Sequence, residues 1–107
     1  MEVTYDEFKK LNIRIGKIVS AEKVEGADKL IKLQIDFGNE TRQIIAGVAH
    51  VYKAEELVGK EVPVVVNLEP KKFRGLESQG MILAADDDGK PVLLTPDKEV
   101  ATGSIVK

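Results

Sequence analysis

Between Ile31 and Phe37 the chain alternates without a break. Ile31, Leu33, Ile35 and Phe37 are apolar, and Lys32, Gln34 and Asp36 between them are polar. A period of two means a β-strand with one buried face and one wet face. Gly38-Asn39 follows as a hairpin turn signal, and Thr41 to Ala46 reads as the returning strand. A strand so one-sided cannot be stable alone, so the neighbouring segments must curl a sheet over its apolar side.

Those segments supply what is needed. Thr4 and Glu7 have capping-box spacing, which predicts a short helix from about Tyr5 to Lys10 with Phe8 and Leu11 turned to the core. From Asn12 the period becomes two, with Ile13, Ile15 and Ile18 inward and Gly16 marking a bulge or a sharp coil in a long strand. Glu25 to Asp28 is a turn. Val48 to Leu57 is helical in part, through Ala54-Glu55-Glu56-Leu57, and Gly59 stands at the C-terminal stop. Val62, Val64, Val65 and Val66 form a buried β run. Met81 to Ala85 is a further apolar strand, Asp86 to Gly89 turns it back, and Val92 to Leu94 closes that hairpin. Thr95 to Lys107 is an extended tail anchored by Ile105 and Val106. Five or more short strands would also fit an open sandwich, but a short helix between the third and fourth is the order of an OB-fold and tips the balance. The expected class is all-β: a five-stranded Greek-key barrel with short helices and a C-terminal β extension, forming one domain over 1–107.

Composition narrows the function. Apolar residues make up 43% of the 107, enough for a packed core. There is no cysteine, which excludes thiolate metal sites and Cys nucleophiles, and His50 is the sole histidine. No Walker loop or dinucleotide fingerprint is present. Ser20, Ser78 and Ser104 have no Asp-His arrangement. Asp86, Asp87 and Asp88 lack calcium-loop spacing and sit in a turn. The expectation is a protein without catalytic residues, metal or cofactor. No apolar run approaches the roughly 20 residues of a membrane span, and the polar N-terminus lacks a signal-peptide core. No membrane association is expected, and the cytoplasm is the expected location.

The segment from Asn67 to Met81 stands out. It places Lys71, Lys72 and Arg74 around Phe73, with Ser78 and Gln79 nearby, between two apolar runs. Cations beside a ring, an amide and a hydroxyl suit a polyanion with accessible bases, RNA above all. Each residue has a plainer role: a solvated charge, a core plug at Phe73 or Met81, a turn former at Asn67. With a net charge of -2, either the cations gather on one face or binding is weak and salt-sensitive.

Ordered blocks then match a known family. Asn67-Leu68-Glu69-Pro70-Lys71-Lys72-Phe73-Arg74-Gly75 with Glu77-Ser78-Gln79-Gly80-Met81 resembles the C-terminal or β-subunit tRNA-binding domain of methionyl-tRNA synthetase. The family also holds stand-alone structure-specific tRNA-binding proteins and the endothelial-monocyte-activating polypeptide module. Phe8 to Val19, Gly26-Ala27-Asp28-Lys29-Leu30, Ile45 to Val48 and Tyr52 to Lys60 resemble it in the same order. The resemblance implies an OB-fold that binds tRNA by shape, as a β-subunit or stand-alone accessory, with a homodimer and a synthetase catalytic subunit as partners. It implies tRNA contact by Lys29, Arg74, Ser78 and Met81, with Asn67 and Lys72 at other polar positions; Lys71 and Phe73 join them as candidates from the loop chemistry. The chain departs from the family at Phe73, often Met, and at Glu69, often a base. The missing catalytic region implies a separate subunit or stand-alone protein, unless the sequence is an excised fragment; Met1 at the start favours the former only weakly, since an excised domain can also begin with Met. A dimeric peptide-binding chaperone or secretion factor of the same fold is the alternative; those relatives lack the Lys-Lys-x-Arg-Gly and Ser-Gln-Gly-Met run.

Overall fold

The computed structural model describes residues 1–107. Its elements run α1 (Tyr5–Lys9), β1 (Ile13–Lys23), β2 (Ile31–Asp36), β3 (Thr41–Ala46), α2 (Ala54–Leu57), β4 (Glu61–Val65), β5 (Lys71–Phe73), β6 (Leu76–Ser78), β7 (Met81–Ile82), β8 (Ala84–Asp87), β9 (Lys90–Leu93) and β10 (Ile105–Val106). One antiparallel sheet has the order β3-β2-β1-β4-β7, and β10 adds to β1. The hairpins β5–β6 and β8–β9 form separate two-stranded sheets. The expected mostly-β, OB-like architecture holds: a curled five-strand half-barrel with α2 between β3 and β4.

Alternation dictates the interior. Ile31, Leu33 and Ile35 of β2 face Ile44 and Ala46 of β3 and Val62 and Val64 of β4 in one core. Leu57 of α2 is fully buried in it. Each such side chain contributes about 1.5–3 kcal/mol. The wet face of β2 is paired: Lys32 meets Glu22 at 2.7 Å, and Gln34 donates to Gln43.

β1 joins the parts. Residues 17–23 pair with β2, and residues 13–17 pair with β4 along the opposite edge. Ile13 and Arg14 also pair with Val106 and Ile105, so β10 continues the edge that β2 leaves. Arg14 reinforces this by donating to the Gly103 carbonyl at 2.9 Å.

Several local expectations change. The capping box on α1 is present, and Thr4 lowers the Glu7 pKa by donating its backbone N–H to the carboxylate, and through its side-chain contact. Phe8 and Leu11, however, are exposed, because a five-residue helix lying outside the barrel buries none of its residues. Gly16 is not the bulge; the register shift falls between Ile18 and Ser20. Gly16 is required by close approach, since a Cβ there would lie 2.4 Å from Ile35 Cγ2. Met81 to Ala85 is two strands, not one. Met81–Ile82 pairs with β4, the Leu83 N–H bonds the Pro63 carbonyl, and Ala84 begins the pairing with β9.

Candidate nucleic-acid interface

The segment after β4 is folded as a hairpin rather than a loop. Lys71, Lys72 and Phe73 pair with Ser78, Glu77 and Leu76. Arg74 and Gly75 make the two-residue turn, both with positive φ, 54° and 81°. That is a type I′ turn, whose twist matches the flanking strands. Arginine is a poor choice for its first position, because its Cβ crowds the backbone in the left-handed region. The turn therefore carries strain and holds a guanidinium at the hairpin tip.

Polar bonds fix this hairpin to the barrel. Ser78 is buried; its hydroxyl accepts from the Ile45 N–H at 2.9 Å and donates to the Gly80 carbonyl at 3.0 Å. The hydroxyl thus takes the place of a strand carbonyl along β3. The Gln79 N–H bonds the Gln43 carbonyl at 2.8 Å, and Gln43 Nε2 donates to the Glu77 carbonyl at 2.9 Å. Arg42 braces the base, donating to the Val66 carbonyl at 2.6 Å and the Gln79 carbonyl at 3.2 Å, while Glu40 accepts from its Nε. Asn67 acts where the strand exits: Oδ1 accepts from the Asn12 N–H, and Nδ2 donates to the Lys10 carbonyl.

Beside the hairpin lies a cleft of about 420 Å³. Ile45 and Ser78 lie at its buried end, Leu68, Phe73 and Met81 supply apolar wall, and Glu69 and Lys71 stand at the exposed end. Gly80 also lines it, where a Cβ would come within 2.8 Å of the Val65 carbonyl oxygen. Lys71 Nζ is 5.2 Å from the Phe73 ring centroid, a cation–π contact. Phe73 is half-buried, so the ring is neither a core plug nor a free flag. Phe73 and Met81 also border an adjoining cleft that includes Leu30, but Lys29 lines neither cleft.

Lys71, Phe73, Ser78 and Met81 therefore come together. Strand alternation turns Lys72 to the other face of the hairpin, opposite Glu77. Ser78 and Asn67 have their polar atoms occupied within the chain, so both position the hairpin rather than project from it. Ile45 and Arg42 were not singled out from sequence as parts of this region. Ile45 could have been, as the apolar residue on the face of β3 opposite Ile44.

A curled five-strand sheet with a helix before its fourth strand and a cationic hairpin at its side defines the OB-like class of small β-barrels. The family model described as "Putative tRNA binding domain" matches residues 13–105, so the chain belongs to that tRNA-binding domain family. It is 58% identical over 105 residues to the methionine–tRNA ligase of Archaeoglobus fulgidus, covering 98% of this chain and 16% of the ligase. The chain thus spans about a sixth of that relative's length. Among solved structures it resembles the MetRS related protein from Pyrococcus horikoshii, at TM-score 0.94 and 47% identity over the whole of both chains. It also resembles the chaperone CsaA from Bacillus anthracis, at TM-score 0.92 and 32% identity, again covering both chains fully. No helix is long and apolar enough to cross a membrane.

Proposed function

We propose that this chain binds tRNA by its shape, as a non-catalytic accessory of methionyl-tRNA synthetase, either as a β-subunit or as a stand-alone homodimer. The observation that carries the reading is the gathering of Lys71, Phe73 and Met81 on one cleft with Arg74 at the adjacent tip. Cations there attract phosphate without reading sequence, while the ring and thioether offer apolar surface to unstacked bases. Lys72, on the other face of the hairpin, and Lys29 are the remaining candidate cations. Ser78 and Asn67 hold the hairpin in place.

The test compares intact tRNA with an unstructured RNA of equal length in a gel-shift assay at low salt. Tighter binding of tRNA is expected, falling steeply as salt rises. Arg74→Ala should weaken it by roughly 1–3 kcal/mol, the scale of a charge-assisted contact. Equal affinity for both RNAs, or a flat salt response, defeats the reading.

The likeness to CsaA favours a second reading, a dimeric chaperone that holds extended peptide. The higher identity to the MetRS related protein supports the first. Competition decides between them: tRNA bound here should not be displaced by an unfolded peptide.

A further inference from the structure

Glu69 is out of place in a surface built to attract phosphate. It stands between Leu68 and Pro70, at the head of a segment with three cations, and its side chain borders the cleft beside Lys71 and Phe73. Neutralising those cations would be the simplest role for it. The chain's two ion pairs, however, join Lys32 to Glu22 and Arg42 to Glu40, and Glu69 takes part in neither. A carboxylate can only accept hydrogen bonds. Close to a polyanion it is repulsive unless it meets a donor, and the donors on RNA are on base edges and 2′-hydroxyls.

The surroundings fix which donor fits. The cleft wall is Ile45, Leu68, Phe73 and Met81, apolar and with one aromatic ring. Its volume, about 420 Å³, lies in the range of pockets that enclose small planar ligands. Such a wall suits the flat face of a base. Lys71, 5.2 Å from the ring centroid, puts positive charge at the mouth, where the flanking phosphates of an inserted nucleotide would run.

We propose, resting on the tRNA-binding reading, that this cleft takes one unpaired nucleobase and that Glu69 selects a base whose Watson–Crick edge donates, guanine foremost. Guanine offers N1–H and the N2 amino group side by side, matching both carboxylate oxygens. Uracil offers N3–H flanked by two carbonyls, which the carboxylate repels. Recognition is then shape-led over most of the RNA, with one position read by its edge.

The probes are fluorescein-labelled pentaribonucleotides that differ only at the central base, guanine, inosine or uracil, with intact tRNA measured in the same low-salt buffer by fluorescence anisotropy. The guanine oligomer should bind about ten-fold tighter than the uracil oligomer, the scale of a bidentate edge contact. Inosine, which lacks the N2 amino group, should fall between them. Glu69→Gln carries both a donor and an acceptor, so it should level the three while still binding tRNA. Phe73→Ala should weaken all three and leave their ratio unchanged. Equal binding of the three by the unaltered protein overturns the base selection, and so does a preference that survives Glu69→Gln. If tRNA binds in either of those cases, the tRNA-binding reading stands by itself. If tRNA fails to bind the unaltered protein, both fall.

Discussion

Two hairpins on this chain share a geometry and differ in chemistry. β5–β6 turns through Arg74-Gly75 and β8–β9 through Asp88-Gly89, with nearly the same positive φ pairs. Asp-Gly is a favoured pair for a type I′ turn, because Asp tolerates the left-handed region. Asp86 adds a local bond, its carboxylate accepting from the Gly89 N–H at 2.8 Å. Everything at that tip serves the turn itself. Arg-Gly brings no such benefit, and its hairpin is held instead from outside, by Ser78 and Gln79 bonding to β3 and by Arg42 of β3 donating to the Gln79 carbonyl. A turn that is poor on local terms yet strongly anchored points to a side chain kept for what it meets beyond the chain.

The comparison can be broken most sharply at the anchors. Ser78→Ala leaves the buried Ile45 N–H without a partner and should lower stability by about 1–3 kcal/mol. Asp86→Ala, exposed on the other hairpin, should stay within about 0.5 kcal/mol. Urea titrations of the two variants measure both, and equal losses would remove the distinction between an anchored hairpin and a self-sufficient one. A subtler contrast lies at the tips. Arg74→Asn should relieve backbone strain and raise stability by roughly 0.5–1 kcal/mol, while weakening tRNA binding about as much as Arg74→Ala. A loss in both quantities would mean that Arg74 serves the fold. Asp88→Asn should be the quietest change, within about 0.5 kcal/mol in thermal melts, because Asn accepts the same backbone conformation. If it tightened tRNA binding several-fold, the acidic hairpin would belong to the interface.

Legibility from sequence followed the locality of the signal. The β2–β3 hairpin was readable to within one residue, β2 ending at Asp36 rather than Phe37, because alternation and Gly38-Asn39 are both local. The α1 cap was readable for the same reason, but not that α1 buries none of its residues, since that depends on a barrel the helix does not enter. The 67–81 segment stood out as the candidate site by its residue types and its resemblance. Its hairpin went unread, because Arg-Gly is not a turn signal and three-residue strands carry too short a period. The cleft was half legible: Lys71, Phe73, Ser78 and Met81 lie close in sequence, whereas Ile45 reaches it across the barrel. The buried role of Ser78 depends on a bond to a residue 33 positions away, which no local pattern encodes.

The short pairing of Ile105 and Val106 with the start of β1 reaches further than its size suggests. Those two residues stop up a bare stretch of strand backbone next to Ile13, whose other edge is already occupied by β4. Clip the chain before Ile105 and that stretch becomes an adhesive seam, ready to recruit a strand from another molecule. Proteolytic trimming of this tail would then be expected to show itself first as turbidity during storage, well before any loss of the barrel.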